Sequence, residues 1–254
     1  MSATSRITAL TAATAAALLA VGLTGGQAGA AAAPHGLRST PLAGQRIVDP
    51  HGRILHSTSS NWAGYSATGG TFTSVSASWV QPAGACTSQT SYSAFWIGID
   101  GDGSNSVEQT GSEVDCSGGV PQYYAWYEMY PAAPVNFSNV VKPGDHFSST
   151  VSASGGTFTL VLTDSTQGWT QTITKKSNRA KEASAEIIAE APSSSSVLPL
   201  ANFGTVDFTG STVNGQPIGT FNPDQINMVS GSTTKAVTSA LSGGTDFSVT
   251  WQHS

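Results

Sequence analysis

Two glutamates four residues apart, in Ala185-Glu186-Ile187-Ile188-Ala189-Glu190, and one amide, in Gln109-Thr110-Gly111, are the side chains whose types and spacing best suit chemistry. Residues four apart share a face on a strand and also meet on a helix, so both carboxylates point the same way under either reading. A solvated acidic face would show the same spacing. However, Ile188 shares that face and Ala191-Pro192 follow at once, which fits an inward, partly desolvated Glu equally well. Around the amide, period two sets Val107, Gln109 and Gly111 on one face and Glu108 and Thr110 on the other, so Gln109 stands where a core-facing residue belongs. It can satisfy a neighbouring backbone group, or it can serve a site. An inward Glu opposite an inward Gln is a workable hydrolytic pair. The carboxylate takes a proton from a water, and the amide holds that water and then donates to the oxyanion.

Other chemistries find less support. There is no G-x-S-x-G turn, and the only histidines after residue 57 are His146 and His253, which argues against a Ser-His-Asp triad. No H-E-x-x-H or Cys/His cluster points to zinc. The run Asp100-Gly101-Asp102-Gly103-Ser104-Asn105 is faintly like a calcium loop, but Asn105 occupies its sixth position and Gly111 its twelfth, where Gly and Glu are expected. A tight hairpin turn explains the run as well. No metal or cofactor is expected, and with no phosphate loop and an acidic balance neither is a nucleic-acid partner.

Three further runs accompany these: Ser60-Asn61-Trp62-Ala63-Gly64, Phe95-Trp96-Ile97-Gly98-Ile99-Asp100-Gly101, and Ala125-Trp126-Tyr127-Glu128-Met129-Tyr130-Pro131. Taken in order with Gln109-Thr110-Gly111 and Ala185 to Glu190, the set resembles the glutamic peptidases (eqolisins) from about Ser60 to the C-terminus. The resemblance implies a secreted acid endopeptidase on a jelly-roll (concanavalin-like) β-sandwich. Its catalytic glutamine falls on Gln109 and its catalytic glutamate on Glu190. Trp62, Trp96, Asp100, Glu128 and Glu186 become groove-lining or supporting residues, a core role fits the first four equally well, and Trp126 reads better as core. Two positions depart from the family pattern: Met129 replaces a Trp, and Tyr124 stands where an acid often precedes Ala-Trp. Substrate preference and the supporting carboxylates are the features these departures touch.

The central element is a hairpin, two apolar-alternating arms around the Gly/Asp/Ser/Asn cluster that begins at Asp100. Val-, Thr-, Phe- and Trp-rich runs at 71–80, 146–153, 157–163, 169–174, 205–209 and 246–251 give an all-β pattern, for which two packed antiparallel sheets are the natural solution. Only 177–189 leaves helix and strand undecided. Cys86 and Cys116 form an even pair that suggests a disulfide in an exported protein, although two buried thiols would fit the same count.

Upstream, residues 1–33 read as a secretory signal with Arg6 in the charged region, an apolar stretch from Ala9 to Leu23, and Ala28-Gly29-Ala30 as a cleavage site. Residues 34–57 carry Arg38, Arg46, Arg53, His35, His51 and His56, a basic propeptide or a linker. The 58–254 domain holds six Lys and Arg against fourteen Asp and Glu, a formal charge of −8, and a basic leader could lie over its groove until acid neutralises the carboxylates. The expectation is a secreted, extracellular monomer acting on proteins or peptides, with no membrane partner. The rivals are a glycoside hydrolase using Glu186 and Glu190, and a non-catalytic carbohydrate-binding module that stacks sugars on its six tryptophans.

Overall fold

The computed structural model describes residues 46–48 and 54–254, with side chains from Ser57 onward. The signal segment and most of the basic leader lie outside the described residues. The strands are β1 (Arg46–Val48), β2 (Ile54–Ser59), β3 (Trp62–Thr68), β4 (Ser74–Val80), β5 (Ser91–Ile99), β6 (Val107–Ser117), β7 (Val120–Tyr130), β8 (Val135–Asn136), β9 (His146–Ser154), β10 (Thr157–Asp164), β11 (Trp169–Lys176), β12 (Ser184–Glu190), β13 (Thr205–Val213), β14 (Gln216–Pro217), β15 (Asp224–Ser230), β16 (Thr233–Thr238) and β17 (Phe247–Trp251).

They form an antiparallel β-sandwich. One sheet runs β1-β2-β15-β3-β12-β5-β6-β7-β8, and β2 against β15 is its one parallel strand pair among the described residues. The other runs β16-β17-β13-β4-β9-β10-β11, with β14 on the margin of β13. The β15–β16 hairpin passes from one sheet to the other.

Alternation dictates the core. In β4 and β10 every second residue is buried, among them Val75, Trp79, Phe158, Leu160 and Leu162, and these meet Tyr65, Phe95, Ile97, Ile99 and Ile187 from the first sheet. All seven residues of β12 are buried, as are ten of the eleven in β6. The outward face of the first sheet therefore packs a second apolar layer of its own, Trp62, Ala94, Trp96, Val107, Trp126, Ile188 and Ile226.

The 177–189 ambiguity resolves to strand. β12 is held on both sides, by β3 and β5, in registers that do not shift, and these ladders override whatever helical preference Ala and Glu carry. The turn after β5 is longer than a tight hairpin because Asp100 is engaged elsewhere. Its Oδ2 accepts the Lys181 and Glu182 N–H groups at 2.9 and 3.0 Å, and its Oδ1 accepts that of Ala183 at 3.0 Å. β2 runs through residue 57, so the end of the leader and the start of the domain share a strand. Cys86 and Cys116 are bonded, with Cα atoms 5.3 Å apart.

Candidate active site

Cross-strand register arranges the outward face of the first sheet in rows. Glu190 lies between Trp62 and Ala94, and Ala94 is followed across the sheet by Glu113 and Tyr124. Four residues along, Glu186 lies between Ser66 and Gly98, followed by Gln109 and Glu128. The row between holds Gly64, Ile188, Trp96, Gly111 and Trp126. Directly opposed residues share a face, so Gln109 and Glu190 face the same way, two strands apart. Ala94, Gly98 and Gly111, which stand between them, carry a methyl group or no side chain at all.

Glu190 is fully buried and accepts two neutral donors: the Asn61 Nδ2 gives to Oε1 at 3.0 Å and the Trp96 Nε1 gives to Oε2 at 2.7 Å. An ionised carboxylate is acceptor-only, so both bonds suit the charged form. The donors are themselves fixed. The Ser59 hydroxyl donates to Asn61 Oδ1 at 3.0 Å and accepts the Asn61 and Trp62 N–H groups at 3.3 and 3.1 Å. Trp96 packs edge-on to Trp62 with ring centroids 5.0 Å apart. Both rings are wholly buried, and they pack beside Glu190.

Gln109 donates through Nε2 to Glu128 Oε2 at 2.8 Å, which sets the orientation of its amide. Around this pair the face is unusually acidic. Burial, then Asp115, Glu190 and Glu128, push the Glu113 carboxyl well above its ordinary range, and Asp115 is pushed up to about 7 by burial. Glu113 thus senses both Glu190 and Glu128. Burial, followed by the nearby Asp102 and Asp100 charges, also raises Glu186 well above the ordinary range, although the Asp102 N–H lies 3.4 Å from its Oε1.

The fold brings Gln109, Glu190, Trp62, Trp96, Glu128 and Glu186 onto one face and leaves Asp100 as a clamp on the segment leading into β12. Met129 packs against the core between the sheets, so the replacement of Trp at that position does not touch this face. Tyr124 does belong to it: its hydroxyl donates to Gln122 Oε1 at 2.5 Å, and its pKa is raised to about 12 by burial, then by Asp115 and Glu113. Sequence reasoning missed Asn61, whose place beside Trp62 in a quoted motif was the available signal. It also missed Glu113 and Asp115, which period two from Gln109 puts on its face. Among the described residues, no group of three or more His, Cys, Asp and Glu is disposed to hold a metal.

Fold and site together place a cluster of carboxylates and one amide on a single face of a β-sandwich. The model of the Peptidase A4 family matches residues 60–251, and the chain belongs to that family, whose members are glutamic peptidases and hydrolyse peptide bonds. Aspergillopepsin-2 of Aspergillus niger is 30% identical over 207 residues, 70% of this chain and 73% of its own. A crystal structure of scytalido-glutamic peptidase with a transition state analog inhibitor superposes with a TM-score of 0.67 at 25% identity, covering 76% of this chain and 98% of that one. The aspergilloglutamic peptidase of Aspergillus niger gives a TM-score of 0.54 at 27% identity over 64% of this chain and 99% of that one.

Proposed function

We propose that this endopeptidase works through a dyad of Glu190 and Gln109. Glu190 takes a proton from a water whose oxygen attacks the scissile carbonyl carbon. The Gln109 Nε2 donates to the oxyanion as the carbonyl becomes tetrahedral, with Glu128 holding the amide in place. The proton on Glu190 then passes to the departing nitrogen as the C–N bond breaks. The observation that carries this reading is the pair of neutral donors on Glu190, from Asn61 and Trp96, because hydrogen bonds to both oxygens favour the ionised form.

The glycosidase alternative fares worse on distance. β12 shows no shift of register, so Glu186 and Glu190 keep the roughly 13 Å separation of a regular strand, beyond the 5 to 9.5 Å that paired glycosidase carboxyls use. Export by residues 1–33 and inhibition by the basic stretch 34–57 belong to the same reading, with proteins or peptides as substrates of a monomeric extracellular enzyme.

To test the dyad, Glu190→Gln and Gln109→Ala are assayed on an unfolded protein substrate at acid pH, with folding followed by circular dichroism. Losses of about 10²- to 10⁴-fold and 10²- to 10³-fold in kcat are expected in folded variants. Near-full activity in either removes that residue from the mechanism.

A further inference from the structure

The face does not end at Gln109. Val107, two residues earlier on β6, and its partner Tyr130, two residues after Glu128 on β7, continue it in the same outward sense. Beyond them opens a cavity of about 480 Å³ lined by Gly101, Ser104, Asn105, Val107, Tyr130 and Arg179 among others. Its apolar edge is continuous with the site, because Val107 and Tyr130 pack with Trp62, Trp96 and Trp126. Gly101 is a requirement of that wall: at φ +115° a Cβ there would come within 2.8 Å of Val107 Cγ2 and 3.0 Å of the Trp62 ring.

The remaining lining is polar and carries donors. Arg179 is exposed and is the cation among the lining residues. Neither its guanidinium nor the Asn105 carboxamide has a hydrogen-bond or ion-pair partner among the described residues. The acids of the adjoining loop are turned away. Asp100 accepts three backbone N–H groups of 181–183, and Asp102 Oδ2 accepts the Ser66 hydroxyl at 3.0 Å. In a domain with so few bases, a cation without a counter-ion at the end of the catalytic face has a ligand of opposite charge as its natural complement.

We infer that this cavity is a specificity pocket for an acidic substrate side chain, Asp or Glu, bound by the Arg179 guanidinium and the Asn105 amide. Two residues along β6 are about 7 Å, and an extended substrate advances about 3.3 Å per residue, so the side chain it receives stands two or three residues from the cleaved bond. That placement rests on Gln109 marking the reacting carbonyl, as proposed above. Asn105 and Arg179 are positioned to recognise and play no part in bond cleavage.

Matched peptides carrying Glu or Gln at each position from four before to four after the cleaved bond would be compared by kcat/KM with the mature enzyme. One position two or three residues from the bond should favour Glu by about fivefold, the scale of a partly exposed ion pair with added hydrogen bonds. In Arg179→Gln the Glu-to-Gln ratio there should fall to about one, and in Arg179→Glu a Lys peptide should overtake the Glu peptide. No preference at any position, or a preference that survives Arg179→Gln, overturns the pocket. Because the readout is a ratio between peptides, it is separate from the loss of turnover that tests Glu190 and Gln109. A clear Arg179-dependent ratio together with an active Glu190→Gln enzyme would sink the dyad and leave the pocket standing.

Discussion

Removing the Asn61 carboxamide takes one of two donors from Glu190 and leaves the other, the Trp96 indole, in place. A carboxylate that loses a donor is harder to keep ionised and freer to turn, so Asn61→Ala should lower kcat by about 10- to 100-fold with a smaller change in KM. The acid limb of the kcat–pH profile should also move upward. Asn61→Asp, which restores an oxygen but no amide donor, should not rescue it. An unchanged pH profile would make Asn61 a purely structural residue. Glu186→Gln is the informative contrast: burial already favours the neutral form of Glu186, so an isosteric neutral side chain should cost little activity. If Glu186→Gln were dead and Glu190→Gln active, the two roles would be exchanged.

At the scale of elements, the site depends on strands lying closer together than ordinary side chains allow. A Cβ on Gly111 would come within 2.2 Å of the Phe95 carbonyl oxygen, and one on Gly64, at φ +144°, within 2.1 Å of that of Ile187. Either contact would push β5, β6 or β12 apart and displace Gln109 or Glu190. The Cys86–Cys116 bond ties the far end of β6 to the segment before β5 across a separation of 30 residues. Chain-entropy arguments give such a loop about 3.5 kcal/mol. The double substitution Cys86→Ser with Cys116→Ser should therefore lower the urea midpoint by the equivalent of about 2 to 4 kcal/mol, measured under two-state conditions. A midpoint unmoved by the substitution would show that packing alone holds the hairpin.

Over the whole molecule, buried carboxyls with raised pKa values set the pH range of stability. Glu108, on the opposite face of β6 from Gln109, is pushed up to about 7 by burial, with the nearby Asp100 charge adding to it; Asp115 also reaches about 7, and Glu113 and Glu186 lie well above their ordinary range. Unfolded, these groups ionise near pH 4; folded, they keep their protons. The folded state therefore binds more protons between about pH 4 and 7, and stability, complete below that window, is lost as pH rises through it. For Glu108 alone the loss is on the order of 3 kcal/mol. Urea midpoints measured from pH 3 to 8 should be highest near the acid end and fall towards neutrality, and Glu108→Gln should reduce the slope by about one proton. Midpoints that rise with pH would contradict the assignment. Activity should follow the same direction, with an optimum below neutrality.

Much of this was legible in the chain. Alternating Val, Thr and aromatic residues in β4, β9, β10 and β17 report their burial directly, because a strand with one face in a core must alternate. Period two also put Gln109 and Glu108 on opposite faces and Glu186 and Glu190 on the same one, since facing along a strand is a local property. Ordered motifs identified the class of enzyme. Local patterns could not show which donors meet the Glu190 carboxylate, because those partners are distant in the chain. Asn61 reaches Glu190 across 129 residues, and Trp96 reaches it across 94. The same limit hid the engagement of Asp100 with residues 181–183. Each arises from the register in which β12 inserts between β3 and β5, and register is a choice made between strands, when sheets pair and close on their core.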